Sequence, residues 1–195
     1  MAALGIPEQP ETFDALVTAY AEKHRHYHTG EHIDYCLREL DRALSVAHEP
    51  AEVELALWFH DAIYDPYSSD NEERSADWAC SMLTRHGANA ERVERVRAHI
   101  LATRHAVPAA TSDSQLVVDV DLSILGTDAT TYAAFEKNVR KEYRWVPAIL
   151  FRRKRAEILA SFRARPRIYG TELFHELYEQ RARQNLAAAI GDLRG

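Results

Sequence analysis

Cysteine, glycine and proline are scarce in this sequence, which holds two, seven and seven of them in 195 residues. Cys36 and Cys80 form no CxxC pair, and a domain of this size needs no disulfide staple. Each lies in an apolar helical pattern, where a buried packing role is expected. Long apolar runs are missing as well. No stretch approaches the roughly 20 apolar residues of a membrane span, and the opening MAALGIPEQPETFDAL lacks the basic and apolar regions of a secretory signal. The expectation is a soluble, unprocessed, cytoplasmic chain with no membrane partner. Nor is there an excess of positive charge. With 24 basic and 30 acidic side chains the net charge is −6, which argues against a specific nucleic-acid partner.

Alternating β-branched runs are also lacking, and so few glycines and prolines leave little turn chemistry for a sheet. What remains is helix. The expected fold is an all-α, single-domain helical bundle covering 1–195, a length that suits one hydrophobic core. Helices are expected at roughly 12–24, 31–47, 51–62, 71–86, 90–104, 114–126, 129–144, 148–164 and 171–191. Pro50 suits a first helical turn, Asp70 with Glu73 resembles a capping box, Gly87 can end a helix, and Pro166 forces a stop. In the last helix Leu173, Leu177, Leu186 and Ile190 are expected to supply the apolar contacts, and the run Arg152 to Arg155 reads as a solvated face.

Against this background the polar residues on apolar stripes stand out. In the helix beginning near Glu31 the stripe is Ile33, Cys36, Leu37, Leu40 and Leu44, and His32 precedes Cys36 by one turn. In AEVELALWFHD, Val53, Ala56 and Leu57 recur at helical spacing and His60 completes the series, with Asp61 directly after it. A carboxylate there needs a cation or several donors, because an unpaired buried charge costs several kcal/mol. SQLVVDVDLSILG places two further aspartates in an apolar helix; Asp121 shares the stripe of Val117, Val120 and Ile124, whereas Asp119 lies nearer the other side. One shared ion accounts for all of these. Mixed histidine and carboxylate ligands suit one divalent transition metal such as Mn, Co, Ni, Zn or Fe.

Together these residues resemble the HD superfamily of metal-dependent phosphohydrolases, whose pattern is a histidine, a distant His-Asp doublet and a later aspartate. Here they are His32, His60 with Asp61, and Asp121. YHTGEH is similar to the YHN-x-x-H segment of cyclic-nucleotide phosphodiesterases, with Thr29 in place of their asparagine. That similarity implies His28 as general acid and His32 as ligand, and Asp121-Leu122-Ser123 resembles the D-L-S of the last ligand there. RHYHTGEH, FHDAIYDPYSSDNEERSA, DVDLSILG and ELYEQRARQNL also resemble a small bacterial family of predicted metal-dependent HD phosphohydrolases. The resemblance implies that Glu73 helps orient the attacking water, alongside its capping alternative. It also makes His99 and His105 candidates for phosphate contact or for a second metal, with simple packing as the third alternative.

The reaction expected is hydrolysis of a small phosphorylated substrate, a nucleotide or related phosphate ester, by water activated at the metal, with Asp61 among the groups that hold and orient it. Arg25, beside the first motif, is the basic residue favoured for phosphate contact, because a guanidinium pairs two phosphate oxygens, with an exposed surface ion pair as the alternative. Two alternatives stand: a di-iron oxygenase of the same superfamily, which needs a second metal site, and a nucleotide-binding regulatory module with weak catalysis.

Overall fold

A computed structural model describes residues 4–195. Among them are nine α-helices and no strand: α1 (Pro10–Tyr20), α2 (Gly30–Ala43), α3 (Pro50–Phe59), α4 (Asn71–Arg85), α5 (Ala90–Ala102), α6 (Ser112–Leu122), α7 (Ala129–Glu142), α8 (Ala148–Arg163) and α9 (Glu172–Arg194). The fold is all-α. Contacts gather into two compact units, one ending at Asp121 and one beginning at Leu122.

In the first unit α3 is the central element. Val53, Leu55, Ala56, Leu57 and Phe59 are all buried, and the helix packs against α2, α4 and α5. Burying such side chains stabilises by about 1.5–3 kcal/mol each. Pro50 is its first residue, where a missing N–H costs no helical bond. The Asp113 carboxylate accepts the backbone N–H groups of His48 (2.9 Å) and Glu49 (2.8 Å) just before that start, so α6 supplies the cap that α3 lacks locally.

Helix ends account for most departures from the sequence reading. α1 stops at Tyr20 rather than near 24, because the Ala21 and Glu22 N–H groups turn back to Thr18 and Ala19. α2 passes at Leu44 into a 3₁₀ turn, Leu44–Val46, which carries Leu44 out of the expected stripe to 46% exposure. α4 ends as Gly87 suggests: its φ is +84°, and Ala88 N–H reaches the Leu83 carbonyl while Gly87 N–H reaches Thr84, a Schellman closure. The capping box does not form. Asp70 precedes α4 without a side-chain cap bond, its carboxylate instead accepting from the Ser68 hydroxyl. Of the two cysteines Cys36 is buried and Cys80 half-buried.

The second unit holds a 3₁₀ turn (Ser123–Gly126), α7, α8 and α9. Its buried α9 face is Phe174, Tyr178, Ala182, Leu186 and Ile190; Leu186 and Ile190 pack as expected, whereas Leu177 is exposed and the aromatics Phe174 and Tyr178 take the inward positions expected for Leu173 and Leu177. Gly126 permits the closest approach: a Cβ on it would sit 2.5 Å from the Tyr178 Cβ. Asn185 donates to the carbonyls of Leu125 and Thr127, both at 2.9 Å. The basic run is not uniformly solvated, since Arg155 turns inward to Glu136 at 2.8 Å and Arg152 donates to the last carbonyls of α9.

Candidate metal centre

The first unit brings together four of the residues singled out in the sequence. His32 enters from the first turn of α2, His60 and Asp61 follow the last residue of α3, and Asp121 comes from the end of α6. Ligand atoms of His32, His60 and Asp121 all lie within 4.8 Å of one another. The His32 and His60 Nε2 atoms are 3.2 Å apart. Asp121 Oδ1 is 3.4 Å from the first and 3.6 Å from the second. Asp61 stands outside that tightest trio, yet its Oδ2 is 3.1 Å from His60 Nε2 and 3.6 Å from His32 Nε2.

These separations fit an ion. Ligand atoms about 2.1 Å from a first-row metal are about 3.0 Å apart at a right angle and about 3.4 Å apart at a tetrahedral one. The tautomer fits as well. His60 Nδ1 is 2.8 Å from the Leu57 carbonyl, so Nδ1–H donates there and the neutral ring offers its Nε2 lone pair to the cluster. Two imidazole nitrogens and two carboxylates converging in a buried space require positive charge. The His32, His60 and Asp121 group could hold a metal ion.

Protonation without metal follows the same demand. Burial pulls the His32 imidazole below its ordinary range despite Asp121. Burial also acts against a charged His60, but Asp61 and Asp121 outweigh it and raise its pKa well above the usual value. Burial would raise both carboxyls. His60, then His28 and His32, nevertheless hold Asp61 low, and hydrogen bonds from His105, His32 and His60 do the same for Asp121.

Two of the residues with other expected roles, His28 and His105, lie around this cluster. His28 sits in the segment before α2 with its ring 4.2 Å, centroid to centroid, from Tyr64 and 6.1 Å from His32; it flanks the cluster outside the His32, His60 and Asp121 trio. His105 Nε2 lies 3.2 Å from Asp121 Oδ2, and its backbone has φ +55°, the left-handed region that costs a non-glycine residue about 1 kcal/mol or more. Glu73 pairs with Arg104 through Oε1, while its Oε2 is buried without a hydrogen-bond partner among the described residues.

The geometry gives two of the expected residues structural partners. The Arg25 side chain is 0% exposed. It donates to the carbonyls of Asp61 (2.6 Å), Ala62 (2.9 Å) and His28 (3.2 Å) and to Glu22 (3.0 Å), and lies against the Tyr20 and Tyr64 rings. Its guanidinium braces the backbone of both site segments. His99 is grouped elsewhere: its Nδ1 meets the Ser114 hydroxyl at 2.8 Å, and the charged groups acting on it are Asp113, Glu52 and Arg95. Asp119, the rival to Asp121, accepts from Gln115 at 2.8 Å.

Two contributors escaped the sequence reading. Tyr64, four residues after His60, stacks on His28 and gives its carbonyl to His24 Nε2 at 2.8 Å. Tyr27 packs on His32 with ring centroids 4.7 Å apart. Aromatics interleaved with the histidines of RHYHTGEH were the available signal for Tyr27; nothing local marked Tyr64. Comparison with protein families, with curated proteins and with solved structures finds no match.

Proposed function

We propose that this chain is a metal-dependent hydrolase of phosphate esters, with nucleotides or related small phosphorylated metabolites as substrates. The observation that carries the reading is the convergence of His32, His60, Asp61 and Asp121 on one buried point, beside a histidine, His28, held outside it. The four convergent residues would hold one divalent transition metal, Mn, Co, Ni, Zn or Fe. Such an ion supplies Lewis-acid chemistry, making water nucleophilic at neutral pH and offsetting charge on phosphoryl oxygens.

The chain's own residues do the rest. His28, stacked on Tyr64 and acting electrostatically on Asp61, would hold a proton and donate it to the leaving oxygen. His105 gives an N–H to Asp121 Oδ2, which leaves Oδ1 facing the two histidines. The unpartnered Glu73 Oε2 is an acceptor suited to orienting water. Arg25 ties the His28 and Asp61 carbonyls to a single guanidinium, so acid and carboxylate keep a common frame.

A second reading, a dinuclear oxygenase, draws on His105 lying against the outer oxygen of Asp121. His99 gives it no support, because the charged groups acting on it are Asp113, Glu52 and Arg95 rather than those of the cluster. Protein purified without chelator should contain one equivalent of a divalent metal by elemental analysis. It should also hydrolyse members of a panel of nucleotides and generic phosphate esters, losing that activity with EDTA and regaining it on metal addition. Two equivalents of iron with no esterase activity would favour the oxygenase, and metal-free inactive protein would favour a binding module.

A further inference from the structure

A second concave site lies on another face of α3. Val53, Ala56, Leu57 and His60 form the stripe that leads to the metal cluster, whereas Glu54 and Trp58, one turn apart, look out on a groove of about 450 Å³ between α3 and α1. Its floor is apolar, with Leu16 and Leu55 contributing, and its volume falls in the range of small-molecule sites. Two features give it chemical character. Phe13, 50% exposed, and Trp58 meet edge to face, with centroids 5.5 Å apart and planes at 67°, forming a two-walled aromatic corner. At the rim stand the carboxylates of Glu8 and Glu54, neither of which has an ion-pair or hydrogen-bond partner among the described residues.

Aromatic faces carry negative potential and attract cations, more strongly once desolvated. Uncompensated carboxylates at the rim add attraction of the same sign. An apolar floor rewards a ligand with hydrocarbon around its charge, which a metal ion or a hydrated inorganic cation lacks. We propose that this groove binds a small organic ammonium ion, seated in the Phe13–Trp58 corner with its charge countered by Glu8 and Glu54. The site is separate in sequence and on α3 from the metal cluster, and it stands whether or not the cluster hydrolyses phosphate esters.

The test uses the full chain as purified, titrated with benzyltrimethylammonium and with choline, and read by tryptophan fluorescence and calorimetry. Both should bind saturably, and dimethylbutanol, the uncharged carbon isostere of choline, should bind about tenfold more weakly than choline or worse. Glu54→Gln, a change at an exposed position, should weaken both ammonium probes about tenfold with unchanged circular dichroism, and Trp58→Leu should abolish the calorimetric signal. Mutation of His60 should leave the affinities alone. Equal binding of the isostere, undiminished affinity after Glu8→Gln with Glu54→Gln, or no saturable binding at millimolar probe would overturn the proposal. So would sedimentation data showing that a second copy of the chain fills the groove.

Discussion

Arg25 stands next to a motif, and every partner it has in the structure is structural. A guanidinium beside RHYHTGEH suggests phosphate, yet its donors reach three backbone carbonyls and a glutamate. Removing it would orphan those carbonyls and leave a cavity beside Tyr20 and Tyr64. Arg25→Ala should therefore destabilise the protein by about 3–5 kcal/mol in denaturant unfolding. Arg25→Lys should recover only part of this, since an ammonium cannot span the same fork. His28 makes the opposite kind of claim. If it is the acid, His28→Asn keeps metal content near wild type and lowers turnover by about 10²–10⁴-fold. The loss should shrink for an aryl ester, whose leaving group hardly needs a proton. Loss of metal in elemental analysis would make His28 a ligand instead.

Legibility at this scale followed the rule of cost. His32, His60 and Asp121 were visible because each put a polar group on an apolar stripe, an arrangement that must be compensated. Tyr64 was not, because an aromatic near a core needs no special explanation. His99 also sat on an apolar face, and the pattern alone could not tell a Ser114 partner from a ligand.

Among elements, helix existence was readable in all nine cases from apolar spacing, while ends depended on contacts distant in sequence. The start of α3 shows why: its cap, Asp113, lies 64 residues from Glu49. A second distant partnership joins α3 to α5, where Glu52, 1% exposed, accepts from Arg92 at 3.0 Å and from Arg95 at 2.7 Å. Burial pushes the Glu52 carboxyl up, but hydrogen bonds from Arg95 and Arg92 outweigh this and leave it below its ordinary value. A carboxyl depressed in the folded state stabilises fully above its unfolded pKa and loses that contribution as pH falls through the folded one. Glu52→Gln should accordingly cost stability at pH 7, and the gap from wild type should close as urea unfolding is repeated below about pH 4. In the second unit Gly126→Ala should destabilise by about 1–3 kcal/mol, because the new methyl collides with Tyr178; a melting temperature within error of wild type would contradict the packing.

For the molecule as a whole, a bound ion would replace the proton that His60 Nε2 holds for Asp61 and Asp121. Binding confined to the folded state adds RT ln(1 + [L]/Kd), about 2.7 kcal/mol at a hundredfold excess over Kd. Calorimetry with and without EDTA should show a lower melting temperature after chelation in wild type and no such change in His60→Ala. The two ends of α3 give this dependence a further edge. Asp113 grips the chain just before α3, and Asp121, eight residues later on α6, meets His60 just after it. Along a helix eight residues span about 12 Å, and the eleven from Glu49 to His60 about 16 Å. The Asp113 and Asp121 side chains reach over the difference, so α6 works as a caliper on the two ends of α3. One alanine inserted between Val53 and Leu57 would advance His60 by about 1.5 Å and turn it by about 100°, out of the jaws. Such a chain can remain helical, but it has lost its gauge, and metal content should fall with it.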